Sequence, residues 1–258
     1  MARFARVLRR SSERLPRGWL DLLRQLVLFA GAYYAYRIVR GMVDGQALAA
    51  FEHARELIRL EQAVGLFFEP GVQDWAQGQG WLMAAANWMY VNSHFVVTTT
   101  FLGWLYLARN YAYYYVRNMF MVAMGLALVL YVAYPTAPPR FMPELGFSDT
   151  VATFVGPAAE NGAALLYNPY AAVPSMHVAF ALMIGIPAVM LVRHRTLKAF
   201  WLAYPCIVTF VVVATGNHFW LDAAFGAMVA AASAWAASSA FARLRPEAWR
   251  WRTAKVSA

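Results

Sequence analysis

An all-α fold of six transmembrane helices, with one extra amphipathic helix on the outer surface, is what this sequence predicts. Three observations carry it. The 258-residue chain is 61% hydrophobic and only 14% charged, where a soluble domain carries about 25% charged residues. Six apolar segments approach the ~20 residues that a bilayer core requires. The basic residues fall in alternate connections, as an even number of crossings demands.

Taken in order, the elements begin with a basic N-terminal segment, 1–21, holding Arg3, Arg6, Arg9, Arg10, Arg14 and Arg17. The first span, 22–40, is full length and lacks a small-residue cleavage site, so it is read as an anchor and not a signal peptide. Segment 46–66 (QALAAFEHARELIRLEQAVGL) has a helical pattern with one polar face and is read as a helix on the outer surface. A soluble cap over the site is the other reading. Spans 82–107 and 112–134 follow, joined by a connection flanked by Arg109 and Arg117. Spans 176–192 and 199–216 are joined through Arg193, Arg195 and Lys198. The last span, 219–241, leads into a basic tail, 242–258, with Arg243, Arg245, Arg250, Arg252 and Lys255. Six crossings place all these bases on one side, which the positive-inside rule makes cytoplasmic. The other side holds segments 41–81 and 135–175, with nine acidic residues and only Arg55, Arg59 and Arg140 as bases. The expectation is a plasma or inner membrane protein with both termini in the cytoplasm.

Composition also excludes. The single cysteine, Cys206, permits no intrachain disulfide. The net charge of +9 comes from short clusters between apolar runs, which is not a nucleic-acid footprint. Ten Trp and fourteen Tyr suit interfacial anchoring. No repeat and no strong small-residue stripe specifies an oligomer.

The chemistry sits in two stretches, AAVPSMHVAF and TGNHFWLD. His218 and Asp222 are spaced i, i+4, which on a helix puts them on one face. The carboxylate can then fix one ring nitrogen and leave the other free to attack, the orienting logic of a catalytic triad with imidazole as nucleophile. His177 opens another span at the same membrane depth. Pro174 suits a first helical turn, and the N–H groups around Ser175, Met176 and His177 would form an anion site. In YPTAPPRF, Arg140 sits in a proline-stiffened loop on the same side and can bind phosphate oxygens in a fork. Together these residues suit phosphoryl transfer through a phosphohistidine. His218 attacks phosphorus, His177 protonates the leaving alkoxide, Asp222 holds His218, and Arg140, Ser175 and local amides bind the oxygens. A histidine at a span end is often only a solvated interfacial residue. A carboxylate near a span is costly and points to function.

The ordered motifs YPTAPPRF, NPYAAVPSMHVAFAL and TGNHFWLDAAFG resemble the type 2 phosphatidic acid phosphatase superfamily. With GLFFEPGVQDW and NWMYVNSH, they are most similar to its branch containing fungal inositol phosphorylceramide synthase. The resemblance spans about residues 55–230. It implies a six-helix fold, metal-independent chemistry without a cofactor, and the roles above for His177, His218 and Asp222. The expected substrate is a membrane lipid phosphate, met at the outer leaflet. The acceptor is water, or an alcohol such as inositol or a lipid alcohol. There are departures. Ala133 and Val212 occupy positions where many members carry a lysine and an arginine, and Met176 replaces a glycine. Asn217 is one candidate to compensate. The face Asn87, Tyr90, His94 on the second span is another candidate, for the substrate headgroup, and interhelical hydrogen bonding is its plainer reading. Two other functions remain open from sequence. One is a metalloenzyme using His177, His218 and Asp222 as ligands. The other is a transporter or lipid-binding protein using the same polar groups.

Overall fold

The computed structural model describes residues 15–41, 46–156 and 170–245. The predicted basic residues Arg3 to Arg14 and Arg250 to Lys255 lie outside the described residues. Among those described, the fold is helical, and the only extended pairing is an isolated parallel bridge between Thr136 and Ala171.

The helices are α1 (Gly18–Gly41), α2 (Ala47–Ala63), α3 (Glu69–Gln77), α4 (Gly80–Trp88), α5 (His94–Ala108), α6 (Asn110–Ala133), α7 (Thr150–Val155), α8 (Met176–Leu191), α9 (Arg195–Ala214) and α10 (Trp220–Trp235). A π-helical turn, Met89–Ser93, joins α4 to α5, and a second, Ala236–Phe241, continues α10. Each expected span coincides with helix. Among the described residues, three helices are long and apolar enough to cross a membrane: Asn110–Ala133, Arg195–Ala214 and Trp220–Leu244. α8 is apolar but short at 16 residues. The segment expected at 82–107 is interrupted by the first π turn, and α1 carries Asp21, Arg24, Arg37 and Arg40.

α6 shows why these segments pack as they do. Ala112, Val116, Met119, Ala123, Ala127 and Tyr131 recur every three or four residues and are buried, forming one stripe in the main core with α8 and α10. Its opposite face leaves Leu126, Val129 and Val132 exposed. Leu202 on α9 and Met228 on α10 are likewise outward and apolar, the surface a lipid environment covers.

Close crossings hold α8 between α9 and α10. A side chain at Gly226 of α10 would meet the Ser175 carbonyl oxygen at 2.3 Å, and one at Gly185 would meet that of Trp201 at 2.7 Å. Gly226→Ala is therefore expected to destabilise. Helix propensity favours Ala by about 1 kcal/mol, but forced overpacking costs about 1–3 kcal/mol, and backbone is what must move. Gly125→Ala on α6, with nothing within 4 Å, is the matched control and should be neutral or stabilising. Thermal unfolding in detergent checks both, and equal midpoints for the two variants would contradict the crossing.

α2 carries the predicted amphipathic pattern. Its buried stripe is Ala50, Ala54, Leu57, Ile58 and Glu61. That stripe packs on Ala137, Met142, Phe147, Val173 and Phe219, so the helix covers the loops described next. The Ala50 carbonyl accepts from Ala137 N at 3.0 Å, and the His53 ring stacks on Tyr134 at 3.9 Å.

Candidate active site

Three short segments converge beneath α2. The first is the proline-rich loop after α6. Thr136 N donates to Tyr170 O at 2.8 Å, and Ala172 N donates to Thr136 O at 3.2 Å, which ties the loop to the chain leading into α8. A 3-10 turn, Pro139–Phe141, then presents Arg140. Its backbone N donates to Gly216 O at 2.8 Å. Its guanidinium donates to Asn217 Oδ1 and pairs with Asp149 at 3.2 Å. Arg140 is 9% exposed.

The second segment is the turn between α9 and α10. Gly216 has φ 67°, and a Cβ there would meet the Gln73 amide at 2.6 Å, so both conformation and space require glycine. Asn217 N and His218 N both donate to Val212 O, at 3.0 and 3.1 Å. The Asn217 amide nitrogen donates to Thr215 Oγ1 at 2.8 Å, which turns its oxygen towards Arg140. His218 Nδ1 lies 3.2 Å from Asp222 Oδ2. The pairing is as the sequence suggested, but its local basis differs. His218 precedes the N-cap residue Phe219 and is not helical. Asp222, three residues into the cap, accepts from Phe219 N at 2.9 Å with the same oxygen. The contact is thus made through helix capping and not along a helix face. Asp222 is fully buried and His218 is 5% exposed.

The third segment opens α8. Ser175 is its N-cap and Met176 its first residue. Pro174, expected in the first turn, lies one residue before the cap. Its carbonyl accepts from the Tyr131 hydroxyl at 3.1 Å. Ser175 N, expected to face an anion, instead donates to Asp222 O at 3.0 Å. Its hydroxyl is buried without a hydrogen-bond partner, and the first-turn amides that follow have no acceptor within the helix. His177 faces His218 with ring centroids 6.0 Å apart, a gap that one phosphoryl group can bridge.

The predicted headgroup face divides. Tyr90 and His94 each lie with ring centroids 4.6 Å from His177. Tyr90 comes from the π turn, a distortion frequent at functional sites. Asn87 is engaged elsewhere, exchanging hydrogen bonds with Thr150 at 3.0 and 3.2 Å. Of the substituted positions, Ala133 ends α6 and Val212 is fully buried. Among the described residues, no group of three His, Cys, Asp or Glu side chains is placed to hold a metal ion.

Four residues that sequence reasoning missed belong to this region. Asp149 pairs with Arg140. Gln73 exchanges hydrogen bonds with the Ser148 backbone at 2.9 and 3.1 Å. Glu61 and Glu69 are fully buried beside the start of α10. Acidic residues kept in an apolar chain, one of them inside GLFFEPGVQDW, were the available signal. Burial, and then the neighbouring Glu69 and Asp222 charges, push the Glu61 carboxyl up to about 9. Folding therefore takes up a proton wherever the unfolded chain has released it. Stability should fall as pH rises from about 4.5 towards about 9 and level off above that. Thermal midpoints across this range should show that slope, and Glu61→Gln should flatten it. An unchanged slope in the variant would contradict the assignment.

Paired histidines, a buried carboxylate and an arginine are thus gathered on a helical scaffold with three segments apolar and long enough to cross a membrane among the described residues. A family model described as the PAP2 superfamily matches residues 55–236, and the chain belongs to that superfamily. Membership makes it a membrane enzyme of the phosphatase or phosphotransferase type. No curated protein and no solved structure matches the chain.

Proposed function

We propose that the protein cleaves or transfers a phosphoryl group on a membrane lipid phosphate at the outer leaflet, through a phosphohistidine and without a metal. The observation that carries this reading is the facing of His177 and His218 at 6.0 Å, with Asp222 behind His218 and Arg140 beside it through Asn217. Asp222 orients His218 so that Nε2 attacks phosphorus. The phosphorus–oxygen bond breaks, and His177 protonates the departing alkoxide. Water, or an alcohol such as inositol, then loses its proton to His177 and attacks the phosphohistidine, which frees His218. Arg140, the Ser175 hydroxyl and the first amides of α8 bind the phosphoryl oxygens.

A lipid substrate is supported by an apolar cavity between α1, α5, α6 and α8. It begins at His94 and Met176, beside His177, and continues past Phe120, Phe180 and Leu102. Resemblance to the inositol phosphorylceramide synthase branch supports transfer. The six-span arrangement and the outer location rest on the Lys and Arg asymmetry.

Sealed right-side-out vesicles given a short-chain lipid phosphate in EDTA test the whole reading, with and without acceptor alcohols. Release of phosphate, or label in the alcohol, is expected without opening the membrane. Product formed only after permeabilisation would reverse the topology. A requirement for a divalent ion would put the metalloenzyme first, and lipid movement without product a transporter.

A further inference from the structure

Three consecutive amides at the start of α10 each meet a carboxyl, the first from within the helix and the next two from α3 and α2. Phe219 N donates to Asp222 Oδ2 at 2.9 Å, Trp220 N to Glu69 Oε1 at 3.0 Å and Leu221 N to Glu61 Oε1 at 3.2 Å. First-turn amides have no acceptor within their own helix, and here burial keeps water away. We infer that Glu61 and Glu69 are positioning residues for His218. By gripping the first turn of α10 from α2 and α3, they fix the frame in which the histidine meets phosphorus. This rests on the phosphohistidine reading above.

The geometry asks for reach. Residues 218–222 fold into a tight cap, so any drift of the Trp220 and Leu221 amides moves Asp222, and with it His218. The positive end of a helix favours carboxyl acceptors. Burying two acids together is costly unless they are neutralised or paired. Each keeps a second buried oxygen without a hydrogen-bond partner, Oε2 in both, where a shared proton can reside. The groups facing Glu61 are Glu69 from α3 and Asp222 from α10, with His218 beyond Asp222. α2 and α3 thus do more than cover the site, because they carry two of the three acceptors that hold it.

The test uses the full chain in nanodiscs with Glu61 and Glu69 changed singly to Gln and to Asp. Gln keeps an oxygen at the same reach. Asp keeps the carboxyl but is one methylene short. Both Asp variants should lose about 10–10² in kcat on a lipid phosphate, the scale of a catalytic group displaced by about 1 Å, with little change in KM. The Gln variants should recover most of that loss. Equal kcat in Asp and Gln variants, or a change confined to KM, would overturn the inference. A second readout needs no lipid: inorganic vanadate should shield His218 from carbethoxylation, followed by mass spectrometry of its peptide. Weaker shielding in the Asp variants is expected. Strong shielding that is the same in wild type and Asp variants overturns this inference alone. No shielding in the wild type overturns the phosphohistidine reading and this inference with it.

Discussion

His218→Ala is expected to form no phosphoenzyme with any substrate, while His177→Ala should fail selectively. On the proposed mechanism the first change removes the atom that bonds to phosphorus, and no other ring occupies its place: His177 is across the 6.0 Å gap and His94 lies behind His177. The second removes the proton donor, so its cost depends on the leaving group. A lipid alkoxide leaves poorly and needs the proton. An aryl phosphate such as p-nitrophenyl phosphate leaves well without it. General acid catalysis contributes about 10²–10⁴-fold. The aryl substrate should recover much of that factor in His177→Ala and almost none in His218→Ala. Rates on both substrates, with trapping of labelled phosphoenzyme, check this. Equal recovery in the two variants would mean that the roles of the histidines are exchanged.

Asp222→Asn should come close to abolishing activity while leaving the fold in place. One carboxylate oxygen serves both Phe219 N and His218 Nδ1, at 2.9 and 3.2 Å, and the other is buried without a partner. An asparagine can keep its oxygen on the Phe219 amide and preserve the cap. The same oxygen still faces Nδ1, but the charge that stabilises the imidazolium of the phosphohistidine step is gone, and the NH₂ is forced into the buried, unpartnered place of Oδ1. The same exchange in a serine protease triad lowers kcat by about 10⁴-fold, and the complete burial of Asp222 leaves no water to relax the effect here. A loss in kcat without a comparable rise in KM is expected. A loss below about tenfold would show that the carboxylate acts only as a cap.

The helices and the two histidines were legible because both are local signals. Apolar periodicity marks a segment wherever it packs, and a polar residue in an apolar run is conspicuous by its cost. The pairing of His218 with Asp222 was legible from spacing, although its capping geometry was not, since periodicity does not locate an N-cap. Glu61 and Glu69 escaped because their partners are amides 160 and 151 residues away. No spacing rule spans that separation, and the Glu61 carboxyl read as part of the polar face of a surface helix. Sequence separation likewise hid the fastening of Arg140 to Gly216. Asn87 looked like part of a substrate-facing row because it shares a helical face with Tyr90 and His94. Its amide instead anchors α7, which sequence patterning did not mark as a helix.

The bond from Ser175 N to Asp222 O ties the start of α8 to the start of α10, and the close approach at Gly226 presses the two together. The backbone segments that carry the two histidines are therefore fastened to each other directly, and the width of the gap between the rings is referred to that shared frame. In the proposed reaction the phosphorus passes between two oxygens and a nitrogen, across a gauge set by backbone. On the proposed function, the fitting of lipid chains falls to the side chains of the cavity beside α5, which are not part of the backbone that sets that gauge.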